Sequence, residues 1–291
     1  MNWDGLLLIN KPADVTSHTV VQAVKGRLKA AKAGHLGTLD PLATGVFPVC
    51  LGKATRLSPF YMKADKCYLA AVRFGFFTTT DDREGEQEGP YRKVRFSVDQ
   101  LRKALASFQG EYEQRPPIYS AKKIRGQPAH RLARKGMKPV IPLQKVTIHE
   151  ISLVHFEKDV ATIYIHCSSG TYVRSLAREL GIRLRSGAHV QDLSRSRFGA
   201  FSLDQTCAPD APENELIRSF VPVEKMLPDF PELVISDQLG KKITSGTSIE
   251  LNEPLEHEWV RIFNQHKALL AFAHVESSES QFRLQPKIVF P

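Results

Sequence analysis

Strand-like and helix-like hydrophobic patterns follow one another irregularly along this chain, and that irregular order excludes most architectures. Residues 5–10, GLLLIN, read as a buried strand. Ser17 with Val20, Val21, Val24 and Leu28 reads as the cap and apolar stripe of a helix, with the turn KPAD between them. A second strand is predicted over residues 66–76 from its β-branched and aromatic content. A polar loop, TTTDDREGEQEG, leads to a helix in which Ser97 and Gln100 fit a capping box, Leu101, Leu105 and Phe108 share one face, and Gly110 closes the end. Residues 146–156 and 160–168 read as a strand pair. Thr171–Leu184 reads as a helix with Val173, Leu176, Ala177, Leu180 and Leu184 toward the core. Strict strand-helix alternation is missing, and no GxGxxG or GxxxxGK[ST] follows a strand. The pattern therefore predicts an α+β fold with a mixed, largely antiparallel sheet rather than a doubly wound nucleotide fold. After a composition break at 209–213, the chain changes from about residue 231 to short β-like runs, WVRIF, ALLAFAHV and PKIVF, with no strong helix. A small C-terminal β domain is expected there.

At 291 residues the chain is about twice the usual single-domain length of roughly 150. That length fits a large domain over residues 1–230 and a smaller one over 231–291. No apolar run approaches the roughly 18 residues that a membrane span needs. The N-terminal MNWDGLLLIN lacks the pattern of a secretory signal, so a cytoplasmic protein is expected. Cys50, Cys67, Cys167 and Cys207 form neither a CxxC pair nor a disulfide framework, and no HExxH is present; neither metal nor redox cofactor is predicted.

Lys and Arg outnumber Asp and Glu by 40 to 31. The distribution of that excess separates solubility charge from a surface for a polyanion. From Arg115 to Lys138 there are eight Lys or Arg residues and no Asp or Glu, with Tyr119 and His130 interleaved. A solvated loop explains polarity but not one-signed charge, whereas a segment that neutralises phosphates explains both. A second cluster, Arg174, Arg178, Arg183, Arg185, Arg195 and Arg197, contains Glu179 and Asp192, so part of it is expected to pair internally.

The window AGHLGTLDPLATGVFPVCLGKATR, residues 33–56, holds one carboxylate, Asp40, among Gly34, Gly37, Gly45 and Gly52. Pro41 biases Asp40 toward extended backbone. Taken alone, such an Asp reads as a cap on the PLATG turn. The longer string GHLGTLDPLATG, however, resembles the catalytic motif of TruB-type pseudouridine synthases. The upstream LLLINKPADVTSH, the strand KCYLAAVRFG, the elements CSSGTYVRSLARELG and GAHVQDLSR, and the basic RPPIYSAKKIRGQPAHRLARKG resemble that family's other motifs in the same order. Residues 231–291 resemble the PUA-like β-barrel of bacterial members.

The resemblance implies a pseudouridine synthase fold with a central cleft. It implies isomerisation of uridine, at position 55 in the T-loop of transfer RNA, on a flipped-out nucleotide. Asp40 matches the nucleophile, which would attack at the sugar C1′ or the base C6. Arg174 matches the arginine that pairs with it and would keep its pKa low; without the motif it is a surface arginine at a helix start. Tyr68 matches the tyrosine that stacks on the base, and Tyr172 and Leu193 match residues lining the uracil site; each otherwise reads as core. His35 matches a histidine that contacts RNA, and Lys11 a lysine that buttresses the nucleophile loop or a phosphate. Asp14, Phe47 and Ser194 stand where the family usually has Gly, Leu and Arg, and Ala271 and Ala273 where it has glycines. The implied partner is the T arm of transfer RNA, bound by a monomer without cofactor, metal or membrane. A noncatalytic tRNA-binding or RNA-folding protein would use the same basic surfaces, but has no need of an Asp in a cleft meant for phosphates. A basic nuclease would need several carboxylates for a metal, or a His pair.

Overall fold

The computed structural model describes residues 3–120, 122–124, 126–129, 132, 137, 140–251, 255–278 and 281–290. Its centre is a ten-stranded sheet. In spatial order the strands are Phe220–Pro222, Gly5–Lys11, Thr44–Leu51, Ala188–Phe198, Lys66–Phe74, Val160–Cys167, Gln144–Glu157 and Gly110–Gln114. Ala33–His35 pairs beside Thr44–Leu51, and Phe201–Ser202 beside Ala188–Phe198. Within this sheet the pairings are antiparallel except at one seam, where Ala188–Phe198 runs parallel to Thr44–Leu51 through Ser194↔Thr44 and Arg195↔Gly45. Gly45 has φ +101°, and a Cβ there would lie 2.3 Å from the Arg195 carbonyl oxygen. Glycine is what lets the two halves of the sheet close on each other.

The helices Ser17–Arg27, Val98–Ala106 and Val173–Arg183 bury their apolar stripes against this sheet. Val20, Val24, Leu101, Leu105, Leu176 and Leu180 join Val72, Phe74, Ile163 and Ile165 in one core. The capping box is present: the Gln100 N–H donates to Ser97 Oγ at 3.2 Å, and the Ser97 N–H donates to Gln100 Oε1 at 2.8 Å. The first helix departs from expectation, because Thr16 rather than Ser17 is its cap. Ser17 lies inside the helix, buried, where its hydroxyl donates to the Leu39 carbonyl at 2.7 Å and accepts the Leu39 N–H at 2.9 Å. A residue that reads as a local cap is a tertiary clamp on the loop before Asp40.

Several strands escape a periodicity reading, two of them long and central. Thr44–Leu51, which reads as part of a Gly-rich segment, is an almost wholly buried central strand carrying Gly45 and Pro48. Being covered on both faces, it has no alternation to betray it. Ala188–Phe198 is likewise masked by bulges and by internal polar residues.

The C-terminal region forms a separate five-stranded sheet in the order Glu232–Val234, Trp259–Phe263, Leu269–Ser278, Gln281–Val289, Ile249–Leu251. It also contains the helix Asp237–Thr244, capped by Ser236. No strong helix is expected there, and this one spans only eight residues, about two turns. Ala271 and Ala273 are fully buried in this sheet's core. A further apolar cluster joins the two sheets, with Leu6, Leu8, Val46 and Phe198 from the large one and Phe263, Leu269 and Phe272 from the small one. Phe60 bridges them edge-on, 5.0 Å from Trp259 and 4.5 Å from Phe272 between ring centroids. Among the described residues no helix is long and apolar enough to cross a membrane.

Candidate active site

Asp40 stands in the loop that feeds the parallel seam, and its backbone is held from both sides. Ser17 grips Leu39. Lys11, fully buried, donates from Nζ to the carbonyls of Pro12 at 2.8 Å, Pro41 at 3.0 Å and Ala43 at 2.8 Å. All three ammonium protons are thereby used within the protein, so Lys11 buttresses the loop and presents nothing to a phosphate. Burial pulls its pKa down to about 8.

Arg174 enters from the start of the Val173–Arg183 helix. Its Nη2 donates to Asp40 Oδ1 at 3.0 Å and its Nε lies 2.8 Å from Asp40 Oδ2, an ion contact without hydrogen-bond alignment. Nη1 donates to the Thr80 carbonyl at 3.0 Å and lies 3.3 Å from Asp82 Oδ2, and Nη2 also donates to the Tyr119 carbonyl at 2.9 Å. The guanidinium thus sits between two carboxylates. The Arg174 and Asp82 side chains are 6% and 4% exposed, whereas that of Asp40 is 31% exposed, so Asp40 is the partner that opens outward. Burial raises the Asp40 pKa above the usual carboxylate range; Arg174 opposes that shift and Asp82 adds to it. The expectation that Arg174 holds this pKa low is therefore corrected, because desolvation outweighs the ion pair.

Asp82 is the member of the constellation that the sequence reading misses. It lies in the loop TTTDDREGEQEG, where its Oδ1 accepts the Thr80 hydroxyl and, at 3.1 Å, the Glu84 N–H. The available signal is the pair of carboxylates closely preceding Gly85 in a loop leaving a buried strand, but nothing local distinguishes it from a solvated acidic turn.

The cleft above Asp40 has a volume of about 550 Å³, and its walls include Tyr68, Tyr172, Arg174, Leu193 and Arg195. Tyr68 is buried, which raises its phenol pKa, and the neighbouring positive charge of Arg195 opposes that rise. Arg195 is itself fully buried, donating from Nε to the Val46 carbonyl at 2.8 Å and from Nη2 to the Gly37 carbonyl at 3.2 Å. Tyr172 is fixed by Gln114, which accepts its N–H at 2.8 Å and donates to its carbonyl at 3.0 Å. The structure thus gathers Asp40, Tyr68, Tyr172, Arg174 and Leu193 at one cleft. His35 is not among the cleft walls: it ends the strand Ala33–His35, just before the lining residues Leu36 and Gly37, with its ring 5.4 Å from Phe47 and its pKa lowered by burial.

Of the departures from the family pattern, Asp14 takes φ 60°, the left-handed conformation natural to glycine, and its Oδ1 accepts from Arg83 at 2.8 Å. Asp is among the few residues that tolerate this backbone. Of the arginine cluster, Arg178 pairs with Asp81 at 2.8 Å and Arg183 lies 3.9 Å from Glu179, so internal pairing accounts for much of it. In the basic segment, Lys122 donates to Gln144 Oε1 at 2.9 Å, while Arg125, Arg131 and Arg134 lie outside the described residues.

The cleft presents a partly exposed carboxylate on a pinned loop, a guanidinium that fixes its plane, and aromatic and aliphatic walls suited to a planar ring, an arrangement able to serve a preorganised oxygen nucleophile. The model of the TruB family pseudouridylate synthase N-terminal domain matches residues 25–173. A protein of Solibacter usitatus named tRNA pseudouridine synthase B is 43% identical over 248 residues, covering 84% of this chain and 85% of its own. One of the same name from Chromobacterium violaceum is 39% identical over 290 residues, covering 97% and 93%. Among solved structures, a Cbf5-Nop10-Gar1 complex matches at TM-score 0.71 and 25% identity, over 99% of this chain and 84% of that one. An H/ACA RNP bound to a substrate RNA containing 2'-deoxyuridine matches in fold at TM-score 0.73 and 23% identity, over 99% and 86%. By motif order, site geometry and extended similarity, the chain belongs to the TruB family of pseudouridylate synthases.

Proposed function

We propose that this chain isomerises uridine to pseudouridine in transfer RNA, at position 55 of the T-loop, with Asp40 as nucleophile toward a flipped-out nucleotide. The observation that carries the reading is the Asp40–Arg174–Asp82 array, whose one partly exposed carboxylate faces a cleft walled by Tyr68, Tyr172 and Leu193. The nucleotide leaves the RNA stack at a cost of a few kcal/mol, offset by stacking in the cleft and by phosphate contacts. Tyr68 covers one side of the base. Asp40 attacks at C1′ or C6, the N1 glycosidic bond breaks, the uracil turns within the site, C5 rejoins the sugar, and the bond to Asp40 breaks so that the carboxylate is regenerated. The C5 proton is released and N1 gains one, so the reaction is balanced without an oxidant or reductant. Arg174 holds the attacking oxygens in position and disperses charge on the carboxylate.

The basic segment about 115–144 and the C-terminal unit 231–291 are the proposed RNA-gripping parts, acting in a cytoplasmic monomer. The test is release of tritium from transfer RNA labelled at uridine C5. Asp40→Asn abolishes release while leaving affinity within about tenfold, roughly 1.4 kcal/mol. A variant that turns over at about a tenth of the wild-type rate, a loss of only some 1.4 kcal/mol in barrier, removes Asp40 as nucleophile.

A further inference from the structure

On the face of the large sheet opposite the cleft, strand pairing assembles a set of side chains that the mechanism does not use. Tyr68 points toward the cleft, so Cys67 and its cross-strand partner His166 project from the other side. The Gln144–Glu157 strand bulges between Ile148 and Glu150, so His149 and Glu150 together oppose His166. Asp65, immediately before the Tyr68 strand, completes the group. Its Oδ2 lies 3.2 Å from His149 Nε2 and 3.9 Å from His166 Nε2, and the three donor atoms lie within 4.8 Å of one another.

We infer that Asp65, His149 and His166 form a binding site for a late divalent transition-metal ion, with Zn²⁺ as its simplest occupant. Ligands about 2.0–2.2 Å from a tetrahedral zinc stand roughly 3.4 Å apart, a spacing these atoms reach by small side-chain rotations. Two imidazoles and one carboxylate favour zinc, nickel or copper over magnesium, which prefers oxygen ligands. Three protein ligands leave a fourth position for water. The side chains are 35–46% exposed, so an ion reaches them directly. Glu150 adds a second carboxylate opposite His166, against the positive charge of nearby Arg197, which pairs across from Cys67 on the other side. The two imidazoles stand on neighbouring strands of one hairpin, and Asp65 is far from both in sequence; the bulge and the strand pairing bring the three together, which is why no motif announces them. A bound ion would tie together three strands, including the one that carries Tyr68, and would stabilise the folded state because the unfolded chain lacks the site.

The experiment uses the untagged full chain, stripped with chelator and titrated calorimetrically with zinc chloride alone. One ion binds per chain with Kd of about 10 µM or tighter, and Tm rises with zinc concentration. His149→Ala with His166→Ala removes that binding and the Tm rise while tritium release from transfer RNA is unchanged. Asp65→Asn weakens binding by more than the roughly 10–100-fold that loss of an outer-shell partner costs. Magnesium at millimolar concentration does not compete. If the double variant binds zinc with unchanged stoichiometry and affinity, or if magnesium displaces the zinc, the site is not this one. No binding to the wild-type chain at about 1 mM zinc reduces the group to a surface ion pair. If the double alanine variant does not fold, His166→Gln supplies the same readout.

Discussion

The cleft and the C-terminal unit each bury an arginine, and they spend it differently. Arg174 directs its donors to two carboxylates and two carbonyls, and one of those carboxylates, Asp40, faces open space. Arg261 is 5% exposed. It donates from Nε to the Phe230 carbonyl at 2.9 Å and from the other nitrogens to the carbonyls of Glu224 and Pro228 at 3.4 Å each, and lies 2.9 Å from Glu232. Its three carbonyl partners belong to the connection between the sheets, and its carboxylate partner, Glu232, opens the first strand of the smaller sheet and faces solvent rather than a cavity. A buried cation becomes part of a site when its counter-charge is left facing a cavity; when its partners are carbonyls of a connecting segment, it is a fastener. Burial alone does not distinguish the two.

The sharpest test of that contrast is Arg174→Lys, which keeps the charge and loses the planar fork. Tritium release falls tenfold to a thousandfold, about 1.4–4 kcal/mol, while affinity for transfer RNA changes little. A normal maximal rate with weakened, less salt-sensitive binding makes Arg174 a phosphate contact instead.

Arg261→Met should act the other way. Three carbonyls lose their donor, so stability drops by about 1–3 kcal/mol, read as a lower Tm, while turnover below the transition stays at the wild-type level. Loss of turnover in a folded Arg261→Met protein would break the distinction between the two arginines.

The pH profile sharpens it further. Burial raises the Asp40 pKa, so below that folded-state value the carboxyl is protonated and turnover is lost; activity rises with pH through a limb above the usual carboxylate range. Arg174→Gln removes the charge that opposes the shift and moves this limb to higher pH. A profile of single-turnover rates that is flat through the acid range would separate Asp40 ionisation from the rate. The smallest effect per residue belongs to the basic segment. Replacing Lys122, Lys123, Arg125, Arg131 and Arg134 by Gln flattens the slope of log K against log salt by about 0.7–0.9 for each lost phosphate contact, with turnover at saturation less affected. An unchanged slope assigns these residues to solvent.

Much of the site was legible because its members lie in short strings whose order survives in one dimension: GHLGTLDPLATG around Asp40, KCY around Tyr68, and GTYVRS around Tyr172 and Arg174. The α+β class follows from the order of periodicities, and the helix Val98–Ala106 from a capping box that is a local hydrogen-bond pattern. Other features are set by contacts that no local pattern encodes. Whether Lys11 faces RNA or protein depends on which carbonyls surround its ammonium. Whether Ser17 is a cap or a clamp depends on where Leu39 lies. The direction of the Asp40 pKa shift depends on how much water burial removes beside Arg174, and the role of Asp82 depends on a guanidinium reached across the fold. Residue identity specifies the chemistry available at each position. The tertiary structure alone decides which charges meet, because electrostatic and hydrogen-bond energies act over a few ångströms between groups far apart in sequence.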